Sequence, residues 1–178
     1  SEVEEVARRS RKLNDDLKKI IEELIRRSRK INDELRREIE RLIRESRKLN
    51  RELEELKRRG ELTEEILKKA KEDHERLDRK VKELLKRALD THRKLTDEAR
   101  KKLEEVLKRH EDLARKLKDT IEEDKVRRLN EENKESLRRL ERELEKLNKE
   151  NEDSLRTLEE LLRELNKENK RSLDELRK

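Results

Sequence analysis

Hydrophobic residues recur along the chain at alternating steps of three and four, the spacing that places side chains on one face of an α-helix. The pattern fills three stretches and predicts helices over about residues 2–59, 63–122 and 125–177. Short connections favour an up-down-up order with antiparallel neighbours. We therefore expect an all-α fold, a long three-helix bundle that forms a single domain over residues 1–178.

The first connection has clear turn residues. Gly60 can take the positive φ that follows the end of a helix. Thr63 is a good N-cap for the second helix. Leu62 and Leu67 have the spacing of a hydrophobic staple across that cap.

The second connection is less distinct, because the stretch 119–125 contains neither Gly nor Pro. Asp124 is one candidate N-cap, and Thr120, followed by Glu123 three residues later, is another. Ile121 continues the apolar period of the second helix. We therefore favour Asp124 as the cap and expect the second helix to continue to about Ile121.

Polar residues interrupt the apolar pattern at a regular period of eighteen residues in all three stretches. The interrupting residues are Ser10, Ser28 and Ser46 in the first stretch, His74, His92 and His110 in the second, and Asn133, Asn151 and Asn169 in the third. Eighteen residues make five turns of an ideal helix, so successive interruptions share one face about 27 Å apart. A period of 3.6 residues per turn requires no supercoil, so we expect nearly straight helices.

Folding the chain back at its two turns brings these positions to matching heights. The expected partners are Ser46, His74 and Asn169 in one layer, Ser28, His92 and Asn151 in a second, and Ser10, His110 and Asn133 in a third. Asn50, Asn32 and Asn14 flank the serines of these layers in the same order. Together, Ser, Asn and neutral His offer enough donors and acceptors to close a hydrogen-bonded network in each layer.

The histidines suggest a response to pH. A buried imidazole resists protonation, because burial penalises its charged form and lowers its pKa. Stability would then be intact above about pH 6.5 and lost as the pH falls below it. Asp73 and Asp78 flank His74 and oppose this effect, so we expect His74 to be the least acid-sensitive of the three. The alternative is an inert network that only fixes helix register.

Composition narrows the class of protein. Charged residues make up 58% of the chain and hydrophobic residues 28%, which together with the helical period is typical of long helices. The net charge of +6 comes from basic residues interleaved with acidic ones. No aromatic residue is present to stack on bases, so we expect no nucleic-acid partner. There is no membrane-spanning apolar run, and no signal or transit peptide is visible.

Site chemistry beyond hydrogen bonding is weakly indicated. One histidine per layer cannot build a three-ligand zinc site, and cysteine is absent. A Ser46–His74–Asp78 triad can be drawn, but it would be buried without an oxyanion hole or substrate pocket. We therefore expect no enzyme activity, metal or cofactor.

The regular repeat, the restricted alphabet and the repeated polar layers resemble de novo designed helical bundles with modular buried hydrogen-bond networks. The resemblance rests on His74, His92 and His110 with the core serines and asparagines, and it covers the whole chain. It is closest in style to designed pH-responsive bundles that carry histidine in their networks. It implies a structural protein without natural localisation, soluble in the cytoplasm of an expression host.

Two functional classes follow from this resemblance. The first is a monomeric, pH-responsive scaffold that requires no partner. The second is a subunit of a designed homo-oligomer or filament. Extra apolar residues would either thicken the core of the bundle or dock another copy: Ala7, Ile20, Ile25 and Ile43 in the first helix, Leu85, Leu89, Leu103 and Leu107 in the second, and Leu161 in the third. Binding to membranes at low pH is a further expectation for bundles of this style.

Overall fold

A computed structural model describes all residues, 1–178. It contains three α-helices and no strand: α1 (Glu2–Arg58), α2 (Glu64–Arg115) and α3 (Glu123–Arg177). Residues from all three helices share the same apolar clusters, so the expected three-helix bundle is confirmed. None of the helices combines the length and apolar character needed to cross a membrane.

Local sequence explains why these segments are helical. Leu, Lys, Arg and Glu have high helix propensity, and Pro is absent. Each helix begins with acidic residues in its first turn and ends with basic residues in its last. These charges oppose the partial charges of the helix macrodipole and stabilise both ends of each helix.

The first turn has the geometry that the sequence predicted. Gly60 has a φ of 71°, its N–H donates to the Lys57 carbonyl at 3.0 Å, and the Glu61 N–H donates to the Leu56 carbonyl at 2.9 Å. These two bonds form a Schellman motif that satisfies carbonyls at the end of α1. Gly60 is therefore confirmed as the residue that terminates the helix.

Thr63 is confirmed as the N-cap of α2. Its carbonyl accepts the Leu67 N–H at 3.1 Å, and its hydroxyl oxygen accepts the Ile66 N–H at 3.2 Å. Leu62 packs into the same apolar cluster as Leu67, as the hydrophobic staple requires. The cap and the staple together direct the chain back along α1.

The second turn differs from the prediction, because α2 ends at Arg115 and not near residue 122. The Leu117 N–H donates at 3.0 Å to the carbonyl of Ala114, three residues back, where an α-helix would use the residue four back. The Leu117 side chain is only 3% exposed. Ile121, which the apolar period placed in the core, is 97% exposed. The chain thus leaves the helix after Arg115 with Leu117 still buried, and Ile121 falls in the exposed part of the turn.

The favoured cap of the third helix is also wrong. The Glu122 carbonyl accepts the first backbone bond of α3, from the Val126 N–H at 3.2 Å, so Asp124 lies inside the first turn. The Thr120 hydroxyl instead accepts the Glu122 N–H at 3.3 Å. Thr120 thus stabilises the turn that leads into α3 without being the N-cap.

The three helices divide between two compact units. The first unit contains Ser1–Arg29 and His92–Glu150, and the second contains Lys30–Thr91 and Asn151–Lys178. Each unit combines segments of all three helices. The single domain over residues 1–178 and the straight helices stay predictions.

Apolar side chains form two clusters in each unit. The buried members in the first unit are Leu17, Ile21, Leu24, Ala99, Leu103, Leu137, Leu140 and Leu144 in one cluster, and Val3, Val6, Leu117 and Leu129 in the other. The buried members in the second unit are Leu35, Ile39, Leu42, Ile43, Val81, Leu85, Ala88, Leu155, Leu158, Leu162 and Leu165 in one cluster, and Leu53, Leu67, Ala70, Leu173 and Leu176 in the other. In the sequence, one set of polar interruptions falls between the two clusters of each unit, so apolar layers flank it on both sides.

The second turn gives a direct test of this packing. Leu117→Ala should lower the free energy of unfolding by about 2 kcal/mol or more, because it opens a cavity among buried side chains. Ile121→Ala removes an exposed side chain and should change it by less than about 0.5 kcal/mol. Guanidinium unfolding of the two variants measures both effects. A larger loss for Ile121→Ala would contradict the observed turn.

Candidate functional site

Nine polar residues are buried in the core, and they are the nine that interrupt the apolar pattern. They are Ser10, Ser28, Ser46, His74, His92, His110, Asn133, Asn151 and Asn169. The three histidines are only 4–7% exposed, so water does not solvate their rings. Their polar atoms therefore need protein partners.

The layer around His74 lies in the second unit and has four hydrogen-bond contacts between its side chains, while the Asn169 amide nitrogen is buried without a partner. His74 Nε2 lies 2.9 Å from the side-chain oxygen of Asn50, Oδ1. The side-chain amide of Asn50, Nδ2, donates to the side-chain oxygen of Asn169, Oδ1, at 2.8 Å. Ser46 Oγ lies 3.2 Å from His74 Nδ1, and its hydroxyl can also donate to Asn169 Oδ1 at 3.1 Å. Four side chains from three helices thus form a ring of contacts, in which the single Ser46 hydrogen completes one of its two contacts at a time.

These contacts fix where the protons of this layer lie. The Asn50 carbonyl oxygen can only accept, so His74 Nε2 carries a hydrogen and donates it. In the neutral ring, Nδ1 is then an acceptor, and the Ser46 hydroxyl is the donor that satisfies it. Asn50 is the central link, because it bonds α2 with its oxygen and α3 with its nitrogen.

The layer around His110 lies in the first unit and repeats only half of this arrangement. His110 Nε2 lies 2.7 Å from the Asn14 carbonyl oxygen, and the Asn14 amide donates to Asn133 Oδ1 at 3.0 Å. Ser10 Oγ and His110 Nδ1, however, are both buried without a hydrogen-bond partner. The expected Ser10–His110 contact is therefore not a hydrogen bond.

The remaining four predicted residues form two bonded pairs, each inside one unit. In the first unit, Ser28 Oγ lies 2.9 Å from His92 Nδ1. In the second unit, the Asn32 amide donates to the Asn151 carbonyl oxygen at 2.6 Å. All four side chains are engaged in further interactions.

The sequence did not predict two further side-chain hydrogen bonds beside the layers. Thr96 donates to the Asn148 carbonyl oxygen at 2.8 Å, and the Asn166 amide donates to the Asp78 carboxylate at 2.8 Å. Asp78 and Thr96 each follow a histidine by four residues, and the third residue at that spacing is Ala114. Ala114 has no polar side-chain atom, so this contact has no counterpart beside His110.

Burial lowers the pKa of all three histidines below the ordinary value of 6.5. Desolvation of the charged ring is the cause, and for His74 the nearby Asp73 carboxylate partly opposes it. Asp78, which we expected to act in the same way, is instead 2.9 Å from Lys82 and bonded to Asn166. Its charge is thus compensated by groups other than His74.

The arrangement offers little chemistry besides hydrogen bonding and proton uptake. The Ser46–His74–Asp78 triad is not formed, because His74 Nε2 faces Asn50 and Asp78 faces Asn166 and Lys82. No group of three or more His, Asp or Glu side chains is placed to hold a metal ion. The networks can hold helices in register, and they can gain protons.

Comparison with known proteins supports the fold. No protein-family model and no curated protein matches the chain. A solved structure described as a computationally designed three-helix bundle is similar, with a TM-score of 0.55 and 19% identity. The match covers 98% of this chain and 88% of the other. At this identity the likeness shows the fold alone.

Two equivalent serines of α1 provide a matched test of the networks at pH 7.5. Ser46→Ala should lower the free energy of unfolding by about 1–3 kcal/mol, because it leaves His74 Nδ1 buried without a donor. Ser10→Ala removes a hydroxyl that has no partner, so its effect should stay within about 0.5 kcal/mol of zero or be stabilising. Guanidinium unfolding measures both. Equal losses would show that Ser10 is bonded as well as Ser46.

Proposed function

We propose that the chain is a de novo designed structural protein, and that it acts as a pH-responsive scaffold destabilised when its buried histidines gain protons. The observation that carries this proposal is the burial of every histidine in the chain, each ring bonded to a neutral Asn or Ser side chain. Non-titrating residues such as Asn or Gln could set helix register equally well. Histidine adds a charge change near neutral pH.

The direction of the response follows from the lowered pKa values. The unfolded chain binds protons near pH 6.5, whereas the folded chain resists them until the pH is lower. The contribution of the histidines to stability is therefore fully present above about pH 6.5. It is lost as the pH falls from that value through the lowered pKa values of the folded state.

The surface charges do not produce the same response. Most Asp and Glu side chains are exposed, and many of the ion pairs that they form with Lys or Arg are at helical spacing, where each pair contributes little. Carboxylates also titrate well below the range in which histidine does. A loss of stability between pH 7.5 and 5.5 would thus come from the imidazoles.

Chemical unfolding between pH 7.5 and 5 at constant salt tests the proposal. We expect the guanidinium midpoint to fall as the pH is lowered. The free energy of unfolding should fall by about 1.4 kcal/mol for each unit by which folding lowers the pKa of a histidine. Circular dichroism at 222 nm (roughly the helical minimum) reports the loss of helix. A midpoint that does not move with pH would leave only the inert register network.

The matched control replaces all three histidines by Gln, which keeps a donor and an acceptor but does not titrate in this range. His74→Gln, His92→Gln and His110→Gln together should give a bundle whose midpoint is constant from pH 7.5 to 5. If this variant retained the full pH dependence, the carboxylates and not the histidines would be responsible.

Assembly into a homo-oligomer is the second candidate function. It is favoured by three large apolar side chains on the surface, Ile20 at 38%, Leu107 at 46% and Ile121 at 97% exposure. Exposed apolar residues in such small numbers are common on monomeric proteins. We therefore expect a monomer.

Light scattering at pH 7.5 distinguishes the two candidates. A monomer has a mass of 21.9 kDa. A mass that is a multiple of this value, and that returns to the monomer value in Leu107→Lys, would favour assembly through this surface.

A further inference from the structure

The Ser46 hydroxyl has one hydrogen and two acceptors within reach. His74 Nδ1 lies 3.2 Å away and the Asn169 carbonyl oxygen 3.1 Å away, and the hydroxyl can donate to only one of them at a time. The Asn169 oxygen is satisfied in either case, because the Asn50 amide also donates to it at 2.8 Å. Once His74 Nδ1 carries a proton of its own, the hydroxyl can therefore turn to Asn169 without leaving a buried acceptor unbonded.

We propose that the Ser46 hydroxyl reorients when His74 Nδ1 is protonated, and that this lets His74 take up a proton inside the folded core. His110 has no hydroxyl within hydrogen-bond distance of its Nδ1, and its protonation is the step by which acid destabilises its unit. This inference deepens the proposed function, on which it rests. It assigns the three-residue set Ser46, His74 and Asn169 a buffering role. It assigns His110 the role of acid trigger.

The proton inventory balances in the His74 layer. In the neutral state, His74 Nε2–H donates to Asn50 and the Ser46 hydroxyl donates to Nδ1. When Nδ1 gains a proton from solvent, its N–H donates to Ser46 Oγ, and the Ser46 hydroxyl turns its own hydrogen to Asn169 Oδ1. Counting the Asn50 amide bond to Asn169, the layer has three hydrogen bonds before the step and four after it. No existing covalent bond breaks, and the new charge is shared with oriented dipoles.

The same step fails in the His110 layer. Nε2 already donates to Asn14, so an added proton must go to Nδ1, which has no partner. The Ser10 oxygen is also unbonded and does not reach it. A buried charged donor without an acceptor is much more costly than a neutral acceptor without a donor, so the folded state resists this protonation.

Charged groups around the two layers are similar and mostly paired. Near His74 they are Asp73 with Arg76 and Asp78 with Lys82 on α2, Arg47 of α1 with Glu168 of α3, and Lys71, Glu75, Lys170, Asp174 and Arg177 along the groove between α2 and α3. Near His110 they are Arg109, Glu111 and the Asp112–Arg115 pair on α2, and Arg11 of α1 with Glu132 of α3. Asp73 is the only carboxylate that acts on one ring and not on the other, since it raises the pKa of His74 and has no counterpart beside His110. The experiment must therefore separate Ser46 from Asp73.

Nuclear magnetic resonance of the imidazole rings provides that experiment on the full chain. Ring carbon and nitrogen shifts are followed from pH 8 to 4, while backbone amides report whether the chain is folded. We expect His74 to be protonated in the folded chain at a higher pH than His110. His110 protonation should coincide with loss of the folded amide signals of the first unit.

Matched variants separate the two effects. Ser46→Ala should lower the pKa of His74 by about one unit or more, the equivalent of one hydrogen bond to a charged donor. Ser10→Ala should leave the pKa of His110 unchanged. Asp73→Asn should lower the pKa of His74, and adding Ser46→Ala should lower it further. An unchanged pKa of His74 in Ser46→Ala would contradict the proposed reorientation of the Ser46 hydroxyl.

The wild-type chain keeps the proposal testable even if Ser46→Ala does not fold. The ring nitrogen shifts must show His74 as the Nε2–H tautomer at pH 8 and as the imidazolium in a still folded chain at lower pH. Protonation of His74 only upon unfolding would refute the buffering role. Such a result, or equal pKa values for His74 and His110, would contradict only this inference and not the pH-responsive scaffold. An unfolding midpoint that does not depend on pH would contradict the proposed function itself.

Discussion

The structure depends on satisfying polar atoms that are buried between three helices. In two of the layers a single asparagine of α1 does this, since its oxygen accepts from a histidine of α2 and its amide donates to an asparagine of α3. Asn50 and Asn14 therefore set the relative heights of three helices at once. Displacing any helix by one turn would leave several buried groups without partners, each at a cost of about 1–3 kcal/mol. Leucine layers alone would tolerate such a displacement more easily.

Equal sequence repeats produce unequal layers. Ser46 and Ser10 occupy equivalent positions of the eighteen-residue repeat, yet one hydroxyl has two acceptors and the other has none. The surroundings also differ, because Asp78 bonds Asn166 in the second unit while the corresponding Ala114 bonds nothing. The chemistry of each histidine is consequently set by its neighbours on the other helices and not by its own motif. This inequality makes graded proton uptake possible within a repetitive fold.

Sequence reasoning predicted the features that depend on local pattern. The three helices, the cap at Thr63 and the turn at Gly60 follow from periodicity and turn chemistry, and folding the chain at its turns correctly paired Ser46 with His74 and Ser28 with His92. It failed where packing decides between local alternatives. α2 ends at Arg115, with Leu117 buried and Ile121 exposed, although the apolar period continues through both residues. The missing bond between Ser10 and His110 depends on side-chain distances that identical repeats do not encode.

The central claim is that burial lowers the pKa values of the imidazoles below those of the unfolded chain, so that the chain takes up protons when it unfolds. The number of protons taken up on unfolding, obtained from the slope of unfolding free energy against pH, tests it most directly. Neutral buried rings predict an uptake of about one proton or more near pH 5.5 and essentially none at pH 8. An uptake of zero across this range would show that the rings are already solvated or charged in the folded chain, and would contradict the claim.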